Sequence, residues 1–114
     1  MAHSIPPMPK YRIEVFYSDE DRGYIAHLLE VPSLSAFGST EEKAVRELKR
    51  ATGAWLEALA TDGKEPPTPL AEREFSGEFR LRLPKELHRK LAVEAERNQT
   101  SLNTYCVRKL AGRR

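Results

Sequence analysis

The sequence EFRLRLP at residues 78–84 decides how the last third of this chain folds. Side chains of a β-strand alternate between two faces, so Phe79, Leu81 and Leu83 point to one side and the charged residues to the other. An isolated strand is unstable because its backbone N–H and C=O groups need partners, and the residues that follow look helical. We therefore expect a second copy of the chain to supply the partner strand, with these three apolar residues as the dimer core.

The opposite face of this predicted strand carries Glu78, Arg80 and Arg82. A two-stranded ribbon fits the DNA major groove, where a guanidinium group can bond guanine O6 and N7 and a carboxylate can accept from a cytosine amino group. These three residues are the candidate base-reading residues, and each arginine contact would contribute about 1–3 kcal/mol of discrimination. The alternative interpretation is the solvated face of an ordinary strand.

Two amphipathic helices are predicted after the strand, with Pro84 in the first turn of one and Ser101 as the cap of the other. Their apolar positions recur at three- and four-residue spacing: Leu87, Leu91, Ala92 and Ala95, then Leu102, Cys106, Val107 and Leu110. Ser101 and the amides of Leu102 and Asn103 are candidate phosphate-binding groups, because a helix N-terminus offers free N–H groups. Lys85 is a further candidate. The simpler alternatives are a plain N-cap and a solvated lysine.

The N-terminal half predicts a small antiparallel sheet with one helix packed on it, which is an α+β arrangement. Strands are expected at residues 11–17, 24–29 and 34–37. The first strand places four apolar or aromatic residues on one face: Tyr11, Ile13, Val15 and Tyr17.

The helix of this half is predicted to begin with a capping box formed by Ser39 and Glu42 and to end near Thr61. An apolar stripe along it consists of Val45, Leu48, Thr52, Trp55, Leu56 and Leu59. We expect this stripe to cover one face of the sheet. Gly53 is expected to allow a close approach to the sheet, and Gly63 to supply a left-handed cap.

Length and charge suggest two modules with different partners. The 114 residues suffice for one domain or two very small ones. Residues 64–74 contain three prolines and predict a semi-rigid linker, while residues 1–10 predict a flexible arm. Residues 1–73 carry nine basic and twelve acidic side chains, whereas residues 74–114 carry ten and five. The second module is therefore the one suited to a polyanion.

Several classes of function are disfavoured. The sequence has no apolar run of membrane-spanning length and no signal-peptide pattern, which predicts a cytoplasmic protein with no membrane partner. The single Cys106 excludes an internal disulfide and is expected in the core. Because His3, His27 and His88 lack metal-ligand spacing, no metal, no cofactor and no catalytic residue is predicted.

Residues 79–110, FRLRLPKELHRKLAVEAERNQTSLNTYCVRKL, resemble a ribbon-helix-helix DNA-binding domain. They differ from it at Gln99, where such domains usually have glycine. If that position needs a positive φ, Gln99 would adopt it at a cost of about 1 kcal/mol, or Asn98 would adopt the strained conformation instead. The segments before them resemble the HicB antitoxin domain. These are YRIEVFY, GYIAHLLEVPSLSAFG, STEEKAVRELKRATGAWLEAL and GKEPPTP.

The resemblance implies a HicB-like toxin-binding domain at residues 11–63, with a partial ribonuclease-H-like fold, and a ribbon-helix-helix DNA-binding domain at residues 75–112. It further implies an antitoxin of a type II toxin–antitoxin pair rather than an enzyme. Such a protein masks a HicA-type mRNA-cleaving toxin and represses its own operon. The implied partners are operator DNA, the toxin, and further copies of the chain in a homodimer or a tetramer.

Two other interpretations stay open at this stage. The chain could be a stand-alone ribbon-helix-helix transcriptional regulator, whose N-terminal domain senses a ligand or fixes the oligomeric state. It could also be a weak ribonuclease built on the N-terminal module, although no cluster of carboxylates accompanies His27.

Overall fold

The structure of the protein is a computed structural model that describes residues 8–112. The predicted arm at residues 1–10 lies outside the described residues except for its last three, of which Met8 packs against the core. The chain forms two units, one ending at Phe75 and the other beginning at Ser76. The first contains a sheet and a long helix, and the second contains two shorter helices.

The sheet of the first unit has three antiparallel strands in the order β1-β2-β3. β1 is Ile13–Ser18, β2 is Gly23–Leu28 and β3 is Ser35–Gly38. The prediction of an antiparallel three-stranded sheet is therefore confirmed, with strand ends that differ by one or two residues. Because β2 is central, β1 and β3 are both edge strands.

The long helix α1, Glu41–Thr61, packs on one face of this sheet. Leu48 and Thr52 are fully buried against Leu28 and its neighbours, while Trp55 packs at the margin. The hydroxyl of Thr52 donates to the carbonyl of Leu48 at 2.8 Å, so the one buried polar side chain of this core has a hydrogen-bond partner. The predicted apolar stripe is thus confirmed as the core face of α1.

The predicted capping box at the start of α1 is wrong. The N-cap is Thr40, whose Oγ1 accepts from the backbone N–H of Lys43 at 3.2 Å. Because the helix begins one residue later than predicted, Lys43 rather than Glu42 lies three residues after the cap, and a lysine cannot accept the reciprocal hydrogen bond. The hydroxyl of Ser39 instead accepts from Nζ of Lys43 at 3.3 Å.

The prediction of a close approach at Gly53 is also wrong, since a Cβ there would meet no atom within 4 Å. The close approach occurs at Gly38, where a Cβ would lie 2.2 Å from the backbone nitrogen of Ala44. The end of β3 therefore packs backbone to backbone on the first turns of α1. Gly63, with φ 68°, follows the C-cap residue Asp62 and confirms the predicted left-handed cap.

The proline-rich segment, residues 64–74, is part of the first unit. Pro69 is buried, and a short 3-10 helix, Leu70–Glu72, follows it. The hydroxyl of Tyr11 donates to the carbonyl of Pro67 at 2.5 Å. Proline restricts the segment to extended geometry, and these contacts then fix where it runs.

Glu30 fastens this segment to the sheet. Its two carboxylate oxygens accept from the backbone N–H of Arg12 at 3.0 Å and from that of Leu70 at 2.9 Å. Burial alone would raise the pKa of Glu30, but the two N–H donors stabilise the carboxylate and lower the pKa below its ordinary value. One side chain thus joins residues that lie 18 and 40 positions from it in the sequence.

The second unit consists of α2, Lys85–Arg97, and α3, Leu102–Leu110. Ser101 caps α3 as predicted, with its Oγ accepting from the backbone N–H of Thr104 at 3.0 Å. In the turn between the helices Gln99 has φ 52°, so a non-glycine residue adopts the left-handed conformation. Asn98 keeps a negative φ of −91°, so the left-handed conformation lies at Gln99 and not at Asn98.

Candidate functional site

The segment just before α2, residues 78–83, forms neither strand nor helix. The predicted strand is absent from the single chain because its backbone finds no neighbouring strand among residues 8–112. Phe79 is 80% exposed and Leu81 is 56% exposed, while Leu83 is half-buried. The predicted dimer-core residues are therefore accessible on one chain rather than folded into its own core.

These three side chains line a groove of about 790 Å³ in the second unit, which we call the apolar groove. The rest of its lining comes from Gly77, Glu78, His88, Leu91, Leu102, Asn103, Cys106, Val107 and Leu110. Val107 is 57% exposed and Leu110 is 71% exposed. Cys106, predicted in the core, is half-buried on this surface. Exposed apolar residues gathered in one concave surface are typical of an interaction site.

Two of the three candidate base-reading residues lie outside the apolar groove, and the third lines it. Arg80 and Arg82 are exposed and do not contribute to the apolar groove, whereas the residues on either side of them do. Glu78 differs, since it lines the groove. It follows a tight turn in which its backbone N–H donates to Oγ of Ser76 at 3.1 Å and Gly77 has φ 85°.

The candidate phosphate-binding residues lie at the beginnings of the two helices. Lys85 is the first residue of α2 and is exposed. Ser101 is the N-cap of α3, and its hydroxyl also donates to Oγ1 of Thr104 at 2.8 Å. Leu102 and Asn103 form the first turn of α3, and both also line the apolar groove.

Tyr105 holds α3 against α2, and the sequence analysis missed it. It is buried and donates its hydroxyl to the carboxylate of Glu94, and Nζ of Lys109 lies 5.5 Å from the centre of its ring. This hydrogen bond lowers the pKa of Glu94, and the same bond, with burial, raises the pKa of Tyr105. Tyr105 lies three residues after Leu102, and this helical spacing would have placed its side chain on the same face of α3 as Leu102.

Among the described residues of the first unit, the histidine is His27 on β2. Nε2 of His27 lies 3.3 Å from Oε1 of Glu14 on the neighbouring strand. The imidazole ring of His27 and the ring of Phe16 pack edge to face, with 6.0 Å between their centroids. Within residues 8–112, no group of three or more His, Cys, Asp or Glu side chains could hold a metal ion. The same residues contain no helix long and apolar enough to cross a membrane.

Comparison with known proteins gives one family. Residues 60–110 match the family model described as the HicB family, which supports a HicB-like protein. HicB proteins are antitoxins and are generally not enzymes. Neither a curated protein nor a solved structure shows a significant match to the chain.

The match has a definite place in the fold. It runs from the last turn of α1 through the proline-rich segment, residues 64–74, to the end of α3. It therefore includes the exposed segment at residues 78–83 and the whole apolar groove. Residues 11–59, on which much of the predicted HicB resemblance rested, lie before it.

Proposed function

We propose that this protein is an antitoxin that binds and masks a HicA-type mRNA-cleaving toxin and represses its own operon by binding operator DNA as a homodimer. One observation carries the proposal. Within the stretch that matches the HicB family, Phe79 and Leu81 are exposed on an apolar groove while Arg80 and Arg82 lie outside that groove. This alternation is what a strand needs in order to pair through one face and bind DNA through the other.

In the proposed dimer, residues 78–83 of two chains pair as an antiparallel ribbon. Pairing satisfies the backbone groups of both segments and covers the apolar groove of each chain. Burying Phe79, Leu81 and Leu83 from both chains would contribute roughly 9–18 kcal/mol before the cost of ordering, at about 1.5–3 kcal/mol per side chain. That gain favours a stable dimer over a single exposed chain.

Arg80 and Arg82 of the ribbon are proposed to bond guanine edges in the major groove, with Glu78 at the margin. Ser101, Leu102 and Asn103 are proposed to bind phosphate at the N-terminus of α3, and Lys85 is proposed to bind phosphate from the first turn of α2. The basic balance of residues 74–114 supports this assignment, since ten Lys and Arg face five Asp and Glu.

Toxin binding is assigned to the first unit. Its sequence up to residue 73 carries more acidic than basic side chains, which favours encounter with a basic RNA-cleaving protein. Coexpression with the product of the adjacent reading frame tests the assignment. We expect the two proteins to purify together and the toxin's growth defect to disappear. A chain that purifies alone and leaves the toxin active would instead favour the stand-alone regulator.

DNA binding is tested by gel shift with the operon's upstream region and a scrambled duplex. We expect Arg80→Ala to abolish discrimination between the two while the dimer persists, because the side chain lies outside the apolar groove. Arg97→Ala, at the far end of α2, is the matched control. Phe79→Asp should prevent the pairing of residues 78–83 and remove DNA binding. An unchanged specificity ratio in Arg80→Ala would contradict the proposal.

A further inference from the structure

The face of the sheet opposite α1 carries a row of apolar side chains that crosses all three strands. Phe16 of β1 pairs with Ile25 of β2, and Ile25 pairs with Phe37 of β3. The core that α1 covers contains Ala26 and Leu28, so the alternation of side chains places Ile25 and its two partners on the other face. Phe16 is 50% exposed and Phe37 is 49% exposed. We call these three residues the open-face row.

Both aromatic rings of the open-face row have fixed neighbours within the sheet. A Cβ at Gly23 would lie 2.4 Å from the ring of Phe37, so the ring lies over the backbone of β2 where glycine leaves room for it. The ring of Phe16 packs edge to face on His27 of the adjacent strand. Because these contacts already restrict the rings, covering them would cost little additional ordering entropy.

An acidic turn adjoins the open-face row at one end of the sheet. It consists of the three exposed residues 19–21, Asp-Glu-Asp, between β1 and β2. The hydroxyl of Ser18 donates to Oδ2 of Asp21 at 2.9 Å, and the backbone N–H of Asp21 donates to Oγ of Ser18 at 3.3 Å. Gly23, on which the ring of Phe37 lies, begins β2 directly after this turn. Carboxylates and exposed apolar rings therefore form one continuous surface.

Charge differs between the two layers of the first unit. Residues 13–38, which contain the three strands and their turns, carry five acidic side chains and one basic side chain. The helix α1 carries four of each. A basic partner is therefore attracted to the sheet rather than to the helix. Aromatic side chains on a sheet can also stack on RNA bases, but here the phosphates of RNA would meet carboxylates, which disfavours that occupant.

We propose that the open-face row and the acidic turn are the surface that binds the basic toxin. The inference rests on the proposed function and deepens it, because it assigns toxin binding to particular side chains of the first unit. An apolar side chain of the partner covers Phe16 and Phe37, while its lysines and arginines surround the acidic turn. Buried aromatic residues with a charged rim are the usual anatomy of a specific protein interface.

The test measures the dissociation constant between the full chain and the product of the adjacent reading frame, separated from the coexpressed complex in denaturant and refolded. Phe16→Ala and Phe37→Ala should each weaken binding by about tenfold or more, because each removes a ring from the centre of the interface. Tyr17→Ala is the matched control. Tyr17 is an aromatic residue of the same strand and is 53% exposed, but it lies on the opposite face from Phe16. This variant should bind like wild type.

Association rates test the acidic turn. D19K/E20K should slow association with the toxin and reduce its dependence on salt, because the carboxylates that attract the basic partner are then replaced by cations. The control E47K/E57K makes the same change in net charge on exposed residues of α1 and should slow association far less.

The same surface can be mapped without any substitution. Circular dichroism checks that the variants fold, and hydroxyl-radical labelling of the wild-type chain covers the case in which one does not. Labelling of Phe16 and Phe37 should fall when the toxin is bound, while that of Tyr17 should stay the same.

The outcomes separate this inference from the proposed function. If wild type binds the toxin, and Phe16→Ala and Phe37→Ala bind it as tightly with unchanged labelling, the inference is overturned and the proposed function stands. A wild-type chain that does not bind the toxin would overturn both. Light scattering of the chain without toxin covers the remaining occupant. A lower mass for Phe16→Ala and Phe37→Ala would show that a second copy covers the open-face row, and this result would also overturn the inference.

Discussion

Tyr105 of α3 donates its hydroxyl to the carboxylate of Glu94 on α2, and this hydrogen bond is the polar link between the two helices. The second unit has few buried residues to hold it, since only Ala95 and Tyr105 are classed as buried among its described residues. Ala95 lies one residue after Glu94 on α2. The packing of α3 on α2 depends on this pair.

This pair predicts an acid-sensitive contribution to stability. Because folding lowers the pKa of Glu94 from its ordinary value of 4.5, the hydrogen bond stabilises the folded chain above that pH and is lost as the pH falls through the lowered value. We expect Tyr105→Phe to melt at a lower temperature than wild type at neutral pH. The difference should narrow as the pH falls below 4.5 and through the lowered pKa of Glu94, because the carboxylate then becomes protonated.

Melting curves at a series of pH values check this expectation. Tyr105→Phe keeps the ring under Lys109 and removes only the hydroxyl, so it isolates the hydrogen bond. Because folding raises the pKa of Tyr105 above 10.0, the bond should also be lost in strong alkali. A difference in melting temperature that stays constant across the acid range would speak against the assignment.

Glu30 predicts how firmly the proline-rich segment is held. Glu30→Ala removes the acceptor of two backbone N–H groups and should destabilise the first unit by about 1–2 kcal/mol, measured by urea unfolding. Glu30→Gln should fall between, since an amide has one acceptor oxygen for two donors. Because the pKa of Glu30 is lowered, the loss should be full above 4.5 and shrink as the pH falls below it.

Glu65→Ala is the matched control for Glu30→Ala, because Glu65 is an exposed carboxylate in the same segment. It should change the free energy of unfolding by less than about 0.5 kcal/mol. Equal stabilities of the two variants would show that the Glu30 hydrogen bonds do not hold the segment.

Two glycines of the first unit should respond in opposite directions to alanine. Gly53→Ala should stabilise by about 1 kcal/mol, since the helix gains propensity and the new Cβ meets open space. Gly38→Ala should destabilise by about 1–3 kcal/mol, because its Cβ would lie 2.2 Å from the backbone nitrogen of Ala44. Thermal unfolding measures the change in stability of each variant. Changes of the same sign in the two variants would refute the prediction.

Gln99 predicts a simple stabilising substitution in the second unit. With φ 52° it adopts a conformation in which glycine is not penalised, so Gln99→Gly should stabilise by about 1 kcal/mol. Gln99→Ala keeps a Cβ and should stay within about 0.5 kcal/mol of wild type. Equal unfolding free energies for the glycine and alanine variants would exclude strain at this position.

Features that depend on neighbours in the sequence were predictable. Ser101 and Gly63 mark helix ends through local hydrogen bonding and φ, and both were placed correctly. The alternation of Phe79 and Leu81 with Arg80 was likewise visible as a pattern, and the groove lining follows it. The apolar stripe of α1 needed only helical spacing.

Features set by distant contacts were not predictable. Ser39 and Thr40 offer equal hydroxyls, and the sequence does not tell which one caps α1. The role of Gly38 depends on the approach of α1, and that of Glu30 on residues up to 40 positions away. The partner of residues 78–83 belongs to another chain in our proposal, so the single chain shows only the surface it would cover.

The 80% exposure of Phe79 has a consequence for the lifetime of the protein. If a second copy covers this side chain, then association follows mass action, and dilution leaves an uncovered peptide. Exposed segments that lack regular backbone hydrogen bonds are preferred sites of proteolytic cleavage. Scarce copies would then be degraded sooner than abundant ones, and the cellular abundance of the protein would depend steeply on its rate of synthesis.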